Sequence, residues 1–239
     1  MSNPLLKNNT FFQSIKGIDD IMTIQGVVNK SIILWILLAM SSFYSWVHPN
    51  VIAPLLLYIS FMAFFLAIVL IFKKTTAPFL SPLYAICEGF ILGSVSLYFE
   101  KLFHGIVFNG IFLTICSLFC ILAAYKTGML RATSKFRKIL MISVFTISFV
   151  YIIDFFLNLF FGGNLQYLHN SSNFSIAISF IITIIASFSL VIDFDLIEQS
   201  VQYGLPKYME WYSAFSIMVT LIWLYIEIIR LLFKLNNRN

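Results

Sequence analysis

The sequence predicts an all-α polytopic membrane protein with seven transmembrane helices. Three observations predict it. Of the 239 residues, 60% are hydrophobic and only 10% charged, and the mean hydropathy is +0.94. A soluble domain is about a quarter charged and about half apolar, and a water-soluble body of this size could not hide so many apolar side chains. The apolar residues also gather into seven runs, each near the ~20 residues that cross a hydrocarbon core. Finally, Lys and Arg concentrate in alternate connections between those runs, as they do in membrane proteins. Together these exclude a cytosolic enzyme, a nucleic-acid module and a secreted disulfide scaffold.

Residues 1–30 are polar and mixed, with Lys7, Lys16, Asp19, Asp20 and Lys30. No apolar core follows a basic start, so no signal peptide is expected in this stretch. Phe11, Phe12, Ile15, Ile18 and Met22 recur at roughly helical spacing. They predict a short helix lying on the membrane surface, the other reading being a disordered tail. The seven predicted spans are 31–47, 51–72, 82–99, 105–125, 139–161, 174–192 and 211–235. His48-Pro49-Asn50 makes a tight polar turn after the first. Lys73-Lys74 with Pro78 and Pro82 stops the second, and Glu100-Lys101 ends the third. The stretch Lys126 to Lys138 is the most basic in the chain and separates the fourth span from the fifth. Gly162 to Asn173 is an uncharged loop, and Asp193 to Glu210 is an acidic connection. Backbone polar groups cannot stay unpaired in lipid, so the runs are helices and not open strands. The domain plan is then a cytoplasmic segment over 1–30, one seven-helix domain over 31–235 and a short external tail over 236–239.

Orientation follows from the positive charges. With the N-terminus inside, the inner segments hold eleven: Lys7, Lys16, Lys30, Lys73, Lys74, Lys126, Arg131, Lys135, Arg137, Lys138 and Lys207. The outer segments hold three: Lys101, Lys234 and Arg238. This predicts a multi-pass protein of the cell (inner) membrane, N-terminus cytoplasmic and C-terminus external.

Ionisable groups at spanning depth are expensive and usually face a cavity or a partner. Glu88, Asp154, Asp193 and Glu227 stand at that depth. At ~1.5 Å of rise per residue, Glu88 lies ~9 Å from the inner side, Asp154 ~22 Å and Glu227 ~24 Å. Asp193 ends the sixth span on the inner side. Two layers result. Glu88 and Asp193 form an inner one, near Lys73, Lys74 and Asp195; Asp154 and Glu227 form an outer one, with Arg230 three residues past Glu227. Facing, desolvated carboxylates can take up a proton near physiological pH, and when ionised they offer hard oxygen ligands suited to Ca²⁺. Glu88 and Asp193 are expected to couple and to hold calcium transiently. A purely structural reading stands beside this, with Glu227 simply paired to Arg230 and Asp154 held by Asn158.

Other signals are weaker. Gly89 and Gly93 are four apart and open one helix face to a close neighbour. Cys87, Cys116 and Cys120 lie in apolar runs as packing residues, and His48, His104 and His169 are scattered. No nucleotide loop, zinc-protease motif or nucleophile elbow occurs, no internal repeat is evident, and no nucleophile–base pair has good spacing for an intramembrane hydrolase. No cofactor, no nucleic acid and no enzymatic activity are expected.

The C-terminal third carries a resemblance. It reads Val191-Ile192-Asp193-Phe194-Asp195-Leu196-Ile197-Glu198, then Pro206-Lys207-Tyr208-Met209-Glu210-Trp211-Tyr212-Ser213-Ala214-Phe215, and closes on Leu224-Tyr225-Ile226-Glu227-Ile228-Ile229-Arg230-Leu231-Leu232. With Met22 to Lys30 and Tyr84 to Gly93, it resembles the YccA-like, bacterial branch of the Bax inhibitor-1 family, in matching order over residues ~20–235. The resemblance implies that the last helix stands at the centre of the other six. It implies a pH-sensitive calcium leak channel, gated by protonation of an intramembrane acidic cluster, in which an Asp ending the sixth helix pairs with one on the seventh. Asp193 matches the first. For the second, one anchoring of the motif gives Glu227 and another gives Thr220, and Glu88 is a third choice. Lys73 or Lys74 stands where the family has a latch Arg. The rival that the resemblance also implies is a non-conducting interaction protein that regulates a membrane protease or a cell-death response. The expected partners are therefore the lipid bilayer, calcium or other cations and protons, and a membrane protease.

Overall fold

Apolar runs surrounded by lipid must satisfy their backbone groups internally. The structure, a computed structural model that describes residues 21–162, 165 and 170–238, does so with seven helices long and apolar enough to cross a membrane. Helix α1 spans Ile24–Val47, and the Thr23 side chain caps it by accepting from the Gly26 N–H. A helical turn Pro49–Ile52 and a 3-10 turn Ala53–Leu55 lead into α2, Leu56–Phe72. Helix α3 is Ala77–Leu102 and α4 is Ile106–Lys126. Helix α5, Ser134–Phe161, starts at the Thr133 cap and stops at Gly162, whose φ of 62° suits glycine. Helix α6 is Asn173–Gln202 and α7 is Met209–Asn236. There is no strand among the described residues. One isolated bridge joins Ile21 to Pro206.

Several predicted boundaries move. Helix α3 starts at Ala77, with Pro78 in its first turn and Pro82 inside it. Pro78 falls where helix N–H groups lack partners anyway, so it starts the helix well. Helix α5 takes in residues 134–138, which the charge pattern assigns to a loop. The largest shift is in α6, which runs ten residues past the predicted end at 192. Asp193, Asp195 and Glu198 are therefore helical, not part of a connection. Phe194, Ile197 and Val201 keep apolar packing going through this part. The acids between them are tied to α7, α5 and α4. Lys234, assigned by its charge to the outer segment, lies inside α7 and is buried. The surface helix expected near Phe11 to Ile18 lies outside the described residues, as does His169.

The last helix is the centre of the bundle. Thirteen residues of α7 are buried, from Glu210 to Lys234. It packs on α6, α1, α4 and α3. Its face built from Ala214, Met218, Ile222, Tyr225 and Ile229 joins Leu34, Leu38 and Leu92 in the main core. Against this core, α1 and α3 meet most closely. A Cβ on Gly93 would stand 2.2 Å from the Ser42 carbonyl oxygen, and one on Gly89 would stand 2.5 Å from that of Leu38. The two glycines are thus the contact face expected of small residues four apart. Ser45 seals the same seam, donating to the Phe90 carbonyl at 2.9 Å and meeting the Ser94 hydroxyl at 2.7 Å. By contrast, α5 is peripheral: Leu140 is its one buried residue. Its Ile142, Phe145, Phe149 and Phe160 side chains stand exposed, as lipid-facing side chains do.

Candidate functional site

Alternating helix direction brings the start of α1, α3, α5 and α7 and the end of α2, α4 and α6 to one face. This face holds the Lys126 to Lys138 segment and is called the basic face below. The acids divide into sites near this face and a site toward the opposite one.

Asp193 is a buried acid of α6 on the basic side. The residue is only 8% exposed. Ser216 and Thr220 of α7, one helical turn apart, each donate a hydroxyl to it, at 2.8 and 2.6 Å. One hydroxyl meets each oxygen. Among the described residues Asp193 has no ion pair, so its donors are neutral. A sixth-helix acid is thereby fastened to the central helix by hydroxyls.

Glu88 is half-buried on α3 and accepts from the Tyr84 hydroxyl one turn earlier, at 2.7 Å. The Tyr84 ring stands edge-on to Phe215 of α7, 5.0 Å between centroids. The expected inner pair thus ends on different partners, both leading to α7: Asp193 through hydroxyls, Glu88 through an aromatic pair. Lys73 and Lys74 are exposed at the end of α2. The Lys74 ammonium lies 5.1 Å from the centre of the Tyr212 ring, so this lysine reaches α7 through a cation–π contact. Asp195 turns the other way, to Arg137 of α5 and to Gln199.

Toward the opposite face, Glu227 is 1% exposed. One of its oxygens accepts from Tyr151 of α5 at 2.8 Å, from the Trp223 indole at 3.2 Å and from Arg230 at 3.3 Å. The other oxygen has no hydrogen-bond partner. The Arg230 guanidinium also lies over the Tyr151 ring, 5.0 Å from its centre. Helix α5 therefore reaches this carboxylate through Tyr151, while Asp154, one turn on, accepts from the Leu165 N–H at 2.7 Å. An apolar cavity of about 300 Å³ between α5 and α6, lined by Val150, Tyr151 and Ile182 among others, borders the same group.

Other buried polar groups escape the sequence. Glu210, 1% exposed, accepts from the Thr23 N–H and hydroxyl and pairs with Lys30. Gly26 leaves room for it: a Cβ there would stand 2.0 Å from the carboxylate. The partners are up to 187 residues apart, so no local spacing announces them. Lys234, 3% exposed, donates to the Ser179 hydroxyl at 2.6 Å and to the Ser175 carbonyl at 3.4 Å. The four-residue spacing of Ser216 and Thr220 on the motif helix is the one signal that could have found Asp193's partners. Among the described residues no three His, Cys, Asp or Glu side chains gather as a metal site.

The family model described as Bax inhibitor 1 like matches residues 3–237. No curated protein and no solved structure matches the chain. The match covers nearly the whole chain, and the seven-helix bundle with the last helix at its centre is the fold which the motif residues imply; the chain belongs to the Bax inhibitor 1 like family.

Proposed function

We propose that this membrane protein is a cation leak pathway, with calcium as the expected cargo, controlled by protonation at Asp193. One observation carries the reading: a nearly buried carboxylate joins α6 to the central helix through neutral hydroxyls alone. An ionised carboxylate in a low-dielectric interior is stable only with enough donors or a counter-charge. Two hydroxyls supply donors without cancelling the charge, so the site favours either a proton or a passing cation. A proton turns one oxygen from acceptor into donor, and one of the two α7 hydroxyls must then rotate or release. A hard cation such as Ca²⁺ would use the same oxygens. The α6–α7 contact is thereby coupled to what Asp193 holds. Glu88 and the Glu227–Arg230 pair line up with the same central helix as further polar stations, and no catalytic step is assigned to any of them. The basic face is cytoplasmic in this reading, and the membrane is the bacterial inner one.

Flux through purified protein in liposomes tests it. Calcium release at pH 6 and pH 8, about two decades of proton activity apart, should differ several-fold for the wild type. Asp193→Asn keeps the hydrogen-bonding shape and removes the titration, so its flux should be the same at both pH values. An Asp193→Asn variant with the wild-type pH profile would overturn the gate. A wild type without flux at either pH would overturn conduction itself and leave regulation of another membrane protein, such as a protease, as the function.

A further inference from the structure

The most strongly charged surface of the molecule plays no part in the pathway above. The segment from Lys126 to Lys138 carries five cations, Lys126, Arg131, Lys135, Arg137 and Lys138, and no acid. It bounds a cavity of about 500 Å³ at the ends of α4 and α6 and the start of α5. Lys126, Arg131 and Thr133 line it from the segment, and Asp195 and Glu198 from α6.

The acids in this cavity already have donors. Arg137 pairs with Asp195, which also accepts from Gln199, and the Tyr125 hydroxyl donates to Glu198 at 2.7 Å. Arg137 is further fixed by its Nε, which donates to the Ala132 carbonyl at 3.2 Å. Among the described residues Lys126, Arg131, Lys135 and Lys138 form no ion pair. The cavity and Arg137 sum to +1, from Lys126, Arg131 and Arg137 against Asp195 and Glu198. Lys135 and Lys138 on the same segment bring the local charge to +3. The rim is also held in shape. Gly128, with φ of 74°, turns the chain, and the Leu130 N–H returns to the Ala124 carbonyl at 3.1 Å. A preformed hollow with unpaired cations fits a phosphate better than a passing cation.

Its position selects the kind of phosphate. Met129, 82% exposed, stands on the turn beside Arg131, and Ile139, 68% exposed, stands one residue after Lys138. Apolar side chains presented beside cations belong at the boundary between acyl chains and headgroups. We propose that this cavity binds the phosphate of an anionic phospholipid, held by Lys126 and Arg131 with Lys135 and Lys138 nearby. The orientation proposed above names only the leaflet, the cytoplasmic one, where anionic lipid attracts such segments. The binding itself does not depend on conduction.

Native mass spectrometry of the purified full chain in detergent, titrated with phosphatidylglycerol, phosphatidylcholine or inorganic phosphate, tests this. The wild type should retain one phosphatidylglycerol at least tenfold more tightly than phosphatidylcholine. Lys126→Gln with Arg131→Gln should abolish that preference, Arg131→Lys should retain it, and Lys101→Gln on the opposite face should leave it unchanged. A melt without added lipid checks folding of each variant, and the single Lys126→Gln at an exposed helix end answers the same question if the double variant is unfolded. Equal retention of both lipids by the wild type, or a preference that survives these neutralisations, would overturn the proposal. Tight binding of inorganic phosphate alone would overturn it too, in favour of a free-anion site. None of these readouts involves ion flux, so failure here and failure of the leak pathway are separable.

Discussion

Glu227 and Arg230 show how context decides the value of a single charge. Both are one turn apart on α7, yet Glu227 is 1% exposed and the Arg230 side chain 39%. Arg230 can send its guanidinium toward the interface on a long stem, whereas Glu227 cannot leave the bundle. Loss of each partner therefore has a different cost. Glu227→Gln leaves a neutral amide among Tyr151 and Trp223 and an Arg that can reach water. Arg230→Gln leaves a buried carboxylate whose second oxygen already lacks a partner. We expect Arg230→Gln to destabilise by about 1–3 kcal/mol, as an under-compensated buried charge does, and Glu227→Gln by clearly less. Thermal melting in detergent checks the order, and equal losses would refute it. Lys234 contrasts with both: its donors go to Ser179 and Ser175 of α6, so here a buried cation is held by neutral oxygens.

At the scale of elements, the tightest seam is a matter of missing atoms. A Cβ on Gly93 would overlap the backbone of Ser42, and a backbone oxygen cannot rotate away as a side chain can. Gly93→Ala must then push α3 from α1, at about 1–3 kcal/mol for overpacking. Ile142→Ala on α5, where the side chain is 67% exposed, should stay within about 0.5 kcal/mol of the wild type. A melt in which both variants behave alike would mean that α1 and α3 are not pressed together. The same seam shows what a sequence tells and what it hides. Gly89 and Gly93 are readable as a contact face, because spacing four apart is a property of one helix. The seven spans are readable too, because length and hydropathy are local. The end of α6 is not, because its last ten residues stay helical through bonds to other elements, Asp193 to α7, Asp195 to α5 and Glu198 to α4. Asp193 stands out as an acid in an apolar run. Ser216 and Thr220 do not, since hydroxyls are ordinary in membrane helices, and only the rotation of α7 against α6 makes them its donors.

For the whole molecule, the segment that leads into α1 is fastened to the start of the central helix on the basic face. Before α1 begins, the Met22 N–H donates to the Leu205 carbonyl at 2.8 Å, and Thr23 and Lys30 close on Glu210 at the start of α7. The central helix is thus anchored to the first helix at the same level as the five-cation segment. On the opposite face, Asn237 at the end of α7 donates to Ser171 at 3.1 Å. This two-sided arrangement makes orientation a property of the entire bundle: every element reverses if one does. Removing Lys234 from the outer loops, as its burial in α7 requires, leaves Lys101 and Arg238 of the three charges assigned there and strengthens the asymmetry. The expectation is that the basic face is cytoplasmic. Single cysteines at Ser134 and at Asn170, both exposed and on opposite faces, report it when Cys87, Cys116 and Cys120 are replaced. An impermeant thiol reagent added to cells with a permeable outer barrier should label Asn170→Cys and spare Ser134→Cys until the membrane is broken. Labelling of Ser134→Cys alone in intact cells would invert the molecule. It would also put the Lys126 to Lys138 cavity in the outer leaflet and move Asp193 to the external mouth, so that external and not cytoplasmic pH would set its protonation.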